Sequence, residues 1–283
     1  MSVGWVAGSV RARALARRRM GRAAARALAA SPSLDAAVAT LAATPYRHDV
    51  HPGQDLAEAQ RGVAATLLWH LRVLAGWLPR EGADTTRLLV AWFEIANVED
   101  LLHRLAGGAA EEPFRLGTLA TAWPRLERAR SPAEFRTTLA TSRWGDPGAE
   151  TPWAVMVGMR LSWAARLAAA VDRAAPWAAG AAALLGPAAL AATSLPALLD
   201  RLPARARWAL LGVAGLDELW QAEARWWTRV ERDGFELLRA TGQGPAPVLG
   251  AVAVLGVDAW RVRAALEFAA RGGRPLEVFD ALA

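Results

Sequence analysis

At 283 residues, 54% of them hydrophobic and 21% charged, the chain has the apolar material for a substantial core and is too hydrophobic for a disordered polymer. All 33 basic residues are arginines, and the net charge of +6 points to an acidic partner: nucleic acid, an anionic membrane surface or an acidic protein. Without cysteine there is no disulfide framework, thiol nucleophile or cysteine-based zinc site, and without lysine no Walker-type phosphate loop or Schiff-base chemistry.

Alanine, leucine and arginine dominate and isoleucine is nearly absent, a mixture that favours helix over strand. The first segment, about 3–28, reads as one helix. At 100° per residue, Arg11, Arg18, Arg19, Arg22 and Arg26 fall within an arc of about 100°. No acid precedes Asp35, so this basic face has no intrahelical charge partner and is a candidate partner interface. Ser31-Pro32 is expected to cap a short helix through Leu41, which Thr44-Pro45 ends.

Pro52-Gly53 reads as a turn, followed by a long apolar helix over about 56–78 that Pro79 stops. Asp84-Thr85 is expected to cap a helix running to about 106, with an apolar stripe of Leu88, Trp92, Ile95, Leu102 and Leu105. Glu99 with His103 and Asp100 with Arg104 have the spacing of helix-supporting pairs, and Gly107-Gly108 terminates the helix. From 109 to 150, prolines 113, 124, 132 and 147 imply short helices. Ser131-Pro132-Ala133-Glu134 has the form of a capping box.

A helix over about 152–172 leads into 174–199, which carries no charge and is long enough to span a bilayer. Pro176, Pro187, Pro196, Gly180 and Gly186 interrupt it and its bulk is alanine, so buried, broken helices are expected, with a membrane span as the alternative. Helices over 203–239, 245–255 and 258–270 follow, then Gly272-Gly273 and a closing helix from Pro275. No strand pair is evident. The fold class is all-α.

The four histidines offer little chemistry. His48 and His51 flank Asp49 across a turn, but no second cluster completes a metal site, and His70 and His103 have ordinary helical settings. There is no G-x-S-x-G elbow, no G-x-G-x-x-G loop and no aspartate-rich magnesium motif. Among the 14 tryptophans, Trp208, Trp220, Trp226 and Trp227 interleave with Arg225, Arg229 and Arg232. That pattern suits a core and interface set, or stacking on bases. A non-catalytic chain without metal or cofactor is expected.

The order of segments resembles the C-subunit family of V-type and archaeal-type ATPases, whose vacuolar member is the d-subunit. Ser9-Val10-Arg11-Ala12-Arg13 resembles the Arg-x-Arg signature of the family's first helix. Phe93 to Leu102, with Glu94, Asn97 and Leu101, closing at Gly107 and followed by Leu116-Gly117-Thr118-Leu119, resembles an acidic-Asn-Leu helix and its next segment. At the end, Pro247 to Leu255, Asp258 as an acidic turn, Val262-Arg263 and Gly273-Arg274-Pro275 resemble the closing segments. Arg261 stands where an asparagine is common, and no second acidic-Asn-Leu-Arg helix can be placed between about 150 and 220.

The resemblance covers about 9–145 and 225–283. It implies a funnel of three similar helical subdomains with pseudo-threefold order, here 1–108, 109–202 and 203–283. It also implies a central-stalk role, linking the rotor shaft to the proteolipid ring and transmitting torque for ion transport, the ion expected to be the proton. Such a protein is peripheral, on the cytoplasmic face of the membrane, which it meets through the ring rather than through a span of its own. The alternative is a helical nucleic-acid-associated or regulatory protein using the Arg11–Arg26 face.

Overall fold

The computed structural model describes residues 3–109, 111–273 and 275–282. Among them every regular element is a helix and no strand occurs. By compactness the chain forms two units, 1–83 with 227–283, and 84–226. This division cuts across the expected segments 1–108, 109–202 and 203–283. Arg274 of the Gly-x-Pro motif lies outside the described residues.

The first unit opens with α1 (Val3–Arg17), α2 (Gly21–Ala29) and α3 (Leu34–Leu41), then a 3-10 turn at Pro45–His48 and α4 (Leu56–Ala75). The single helix expected over 3–28 is therefore two. The amides of Met20 and Gly21, which a continuous helix would turn back on residues 16 and 17, donate instead to the Asp258 carboxylate. Gly21 supplies the left-handed φ of +77° at the break. The cap of α3 is Ser33 rather than Ser31, its hydroxyl accepting from the Ala36 amide at 3.2 Å. A capping box not expected from the sequence starts α4: Asp55 accepts from the Glu58 amide while Glu58 accepts from the Asp55 amide.

Next come α5 (Arg80–Leu89), α6 (Trp92–Leu105), α7 (Trp123–Leu126), α8 (Pro132–Ala140) and α9 (Pro152–Ala170). The helix expected over 85–106 is thus divided, and Asp84 lies inside α5, bonded to Arg87, rather than at its cap. The Leu88 carbonyl, which residue 92 would use in an unbroken helix, accepts the Trp163 indole N–H at 3.1 Å. Ser131 caps α8 as expected, its hydroxyl accepting from the Glu134 amide, but the Glu134 carboxylate takes the Arg130 amide rather than that of Ser131, so the capping box is not closed. On α6, Glu99 reaches Arg160 at 3.8 Å.

The uncharged stretch folds as α10 (Ala175–Leu185), α11 (Pro187–Leu190) and the start of α12 (Leu195–Arg201). Among the described residues no helix is long and apolar enough to cross a membrane. The second unit packs α10 on α9 and on the 3-10 segment Ala204–Leu210, and α9 on α6. Gly180 lets the rings of Trp208 and Trp226 close in, since a Cβ there would lie 2.6 and 2.7 Å from them. The Trp226 indole donates to the Trp177 carbonyl at 2.8 Å. Trp226 is therefore a packing residue.

The chain closes with α13 (Leu219–Arg239), α14 (Pro245–Ala270) and α15 (Leu276–Leu282). The helix expected over 203–239 is shortened to α13, because Gly212 takes a positive φ after the 3-10 segment. The two helices expected at 245–255 and 258–270 are one, and Asp258 lies inside it, not in a turn. α14 is the centre of the first unit, with α1, α2 and α4 packed on it. Leu28, Leu41, Val63, Val262, Leu266 and Phe279 meet in its core. Each contributes roughly 1.5–3 kcal/mol of apolar burial before entropy is counted.

Candidate functional site

Two buried carboxylates organise the two units. In the first, Asp258 is 1% exposed on α14 and accepts the Met20 amide at 3.0 Å, the Gly21 amide at 2.7 Å and the Tyr46 hydroxyl at 2.9 Å. In the second, Glu94 is fully buried on α6 and accepts the Thr121 amide at 2.5 Å, the Ala122 amide at 2.7 Å and the Trp144 indole at 2.8 Å. Both put a carboxylate against two consecutive amides at or just before the first turn of a helix, α2 or α7. Both add one aromatic donor. Charge-assisted bonds of this kind offset the cost of burying the ion.

The residue three positions on differs in chemistry but not in duty. Asn97 closes a pair with the backbone of Phe114, accepting its amide at 2.6 Å and donating to its carbonyl at 2.9 Å. Arg261, 3% exposed, makes a two-pronged ion pair with Glu231 of α13, both bonds at 3.0 Å. The asparagine-to-arginine departure in the last segment thus has a local partner. Leu101 and Val262 are core residues, 2% and 0% exposed. Arg263 is exposed, and its carbonyl accepts from Gln60 of α4.

The two centres close in different chain orders. In the second unit the carboxylate comes first and its donors follow, at 121, 122 and 144. In the first the donors at 20, 21 and 46 come first and the carboxylate last, joining α14 to the other end of the chain. The sequence signal was present: Glu94-x-x-Asn97-Val98 and Asp258-x-x-Arg261-Val262 share spacing, and each helix ends in a double glycine. The donors could not be read, because nothing local marks Met20, Tyr46 or Trp144 as their partners.

No family model matches the chain and no curated protein matches it significantly. Its chemistry rests on its own residues.

The five arginines do not form one face. Arg11 is on α1 with its guanidinium 5.9 Å from the Trp77 ring centre, and Arg18 and Arg19 lie in the break after α1. Arg19 covers the Phe235 ring at 4.6 Å and donates to the Ala16 carbonyl. Arg22 and Arg26 are on α2 and turn to α15, Arg22 donating to the Asp280 carbonyl and Arg26 pairing with the Asp280 carboxylate at 2.7 Å. That bond holds the Asp280 carboxyl below the ordinary carboxylate range and raises the Arg26 guanidinium. The basic face lacked an intrahelical partner, but its distal part has an interhelical one. Arg13 caps α13, donating to the carbonyls of Leu238, Ala240 and Gly242.

His48 bonds Asp49 at 2.7 Å and stacks on Trp69, while Asp49 also accepts the Thr66 hydroxyl. His51 is not brought to them as a ligand pair; its amide donates to Gln54. Among the described residues no group of three or more histidine, aspartate or glutamate side chains is placed to hold a metal ion. A small cavity beside the first centre is lined by Leu15, Arg18, Arg19, Tyr46, His70 and Asp258, among others. Burial pushes the Tyr46 phenol well above its ordinary pKa, with Asp258 adding to the rise, so this hydroxyl is a fixed hydrogen-bond donor and not a base.

Proposed function

We propose that this chain is a non-catalytic helical adaptor of the C-subunit (vacuolar d-subunit) type, linking the rotor shaft of a V-type or archaeal-type ATPase to its membrane ring. The observation that carries the reading is the recurrence of one device. A carboxylate on a long helix pins the start of another helix through two amides and an aromatic donor, once at Glu94 and once at Asp258. These acids belong to the segments on which the family resemblance rests, and the device is structural in both. A torque-bearing adaptor needs stiff, repeated cassettes more than it needs chemistry.

The electrostatics agree with a binding role. Each buried carboxylate is taken up by three donors. The surplus of arginine suits acidic partner surfaces, and such complementarity governs specificity and encounter rate. In this reading the protein is peripheral, on the cytoplasmic face, three similar subdomains form a funnel, and the coupled ion is the proton.

The test is purification from the native host. The adaptor is expected to co-purify with the proteolipid ring and the rotor shaft and to leave membranes without detergent once separated from the ring. Charge reversal at Arg18 and Arg22 is expected to weaken assembly. Affinity for DNA that falls steeply with salt, with no ATPase component recovered, would replace this reading by a nucleic-acid one.

A further inference from the structure

Helix α1 leaves its three valines outside. Gly8, Ser9, Ala12, Leu15 and Ala16 are buried, and the helix packs on α14, while Val3, Val6 and Val10 are 84%, 37% and 58% exposed. A surface helix ordinarily turns its branched apolar residues inward. Two glycines let that side come close to its neighbours: a Cβ at Gly8 would lie 2.3 Å from a Leu78 methyl, and one at Gly4 3.1 Å from Pro79. At 100° per residue Val3, Val6, Val10 and Ala14 share an arc of about 80°. A contiguous exposed apolar row of this kind marks a contact surface.

The flank of that row is cationic and aromatic. Trp77 is 52% exposed with the Arg11 guanidinium over it, and the Arg11 Nε is buried without a hydrogen-bond partner. Arg17 and Arg18 are exposed beyond the row, and no acidic residue occurs before Asp35. The face therefore offers apolar surface and positive charge, and α1 itself carries no acidic side chain. An anionic bilayer supplies both complements at once: an apolar boundary below the headgroups and phosphates above it.

We infer that α1 lies on an anionic membrane surface, with Val3, Val6 and Val10 at the headgroup boundary and Arg11, Arg17 and Arg18 against lipid phosphates. This goes beyond the adaptor reading, in which the membrane is met through the ring, and its failure leaves that reading standing. α1 is about 22 Å long, so it rests on the surface rather than crossing it.

Vesicle co-sedimentation of the full chain decides the matter. The chain is expected to pellet with phosphatidylcholine vesicles containing phosphatidylglycerol and not with phosphatidylcholine alone. Val6→Asp with Val10→Asp is expected to lower the partition coefficient by roughly tenfold or more. Arg17→Gln and Arg18→Gln are each expected to lower it about fivefold. The valine substitutions are on exposed positions, so an unchanged melting curve certifies the fold, and Leu211→Asp, at an exposed leucine in the other unit, is expected to change nothing. Pelleting that is lost with salt yet untouched by the valine pair overturns the inference, because charge alone then suffices. So does failure of the wild-type chain to pellet, which would leave the row to a protein partner.

Discussion

The Tyr46 hydroxyl donates to the Asp258 carboxylate at 2.9 Å across 212 residues of sequence, inside the core of the first unit. With the Met20 and Gly21 amides on the same carboxylate, this bond ties α14 to the first 46 residues of the chain. The two amide bonds fall at the break after α1, where a continuous helix would turn those amides back on residues 16 and 17. They link a local choice of backbone to a long-range closure.

Asp258→Ala strands two amides and a phenol in the core, and is expected to cost on the order of 3 kcal/mol or more. Tyr46→Phe keeps the ring and the two amide bonds, and is expected to cost about 1–2 kcal/mol. Urea denaturation of the two single variants and the double variant checks this. The double is expected to be less destabilised than the sum, because the two groups share one bond.

Glu94 and Asn97 hold the two ends of the segment 114–122, Glu94 taking the Thr121 and Ala122 amides and Asn97 both backbone groups of Phe114, while Arg87 bonds the Thr118 carbonyl between them. Asn97→Ala is expected to raise amide exchange around 114 first, and Glu94→Ala to raise it through 121–126 and at the Trp144 indole. Helices α13 and α14 should keep their protection in both. Hydrogen exchange with residue resolution reads the difference. Exchange rising uniformly along the chain would mean that these residues support global stability only.

Helical class, the cap at Ser131, the stop at Gly107 and the breaking of 174–199 were legible in the sequence, because each is decided by residues a few positions apart. The break at Arg18–Met20, the kink before Trp92 and the continuity of α14 were not. In each of these a backbone or carboxylate group answers to a partner far along the chain: Asp258 for Met20, Trp163 for Leu88, and three donors for Asp258 itself. An aspartate in an apolar run reads locally as a turn. It becomes a helix interior only when tertiary donors satisfy it. The pairing of Arg22 and Arg26 with α15 was not legible for the same reason, since Asp280 lies more than 250 residues from both.

Gly234 of α13 and Gly250 of α14 face each other closely enough that a Cβ on Gly250 would lie 2.6 Å from the Gly234 carbonyl oxygen. The obstacle is backbone, so it cannot be relieved by a rotamer change. Gly250→Ala is expected to destabilise by about 1–3 kcal/mol despite alanine's better helix propensity. Gly242→Ala has open space around it and is expected to be near neutral. Thermal melts of both variants provide the comparison.

His70 gives the chain a pH dependence whose sign can be worked out. Burial lowers its pKa from 6.5, and the nearby His48, Arg18 and Arg11 lower it further, while Asp49 opposes them. The unfolded chain therefore binds a proton at His70 before the folded chain does. Stability from this residue is intact above about pH 6.5 and falls as pH drops from there toward the depressed folded value, below which no further loss accrues. His70→Gln removes the titration and is expected to flatten the stability curve across this window, leaving the two proteins closer at pH 5 than at pH 7.5. Denaturant midpoints measured at matched ionic strength check it. A variant that runs parallel to the wild type through the window would show that His70 is as easily protonated folded as unfolded.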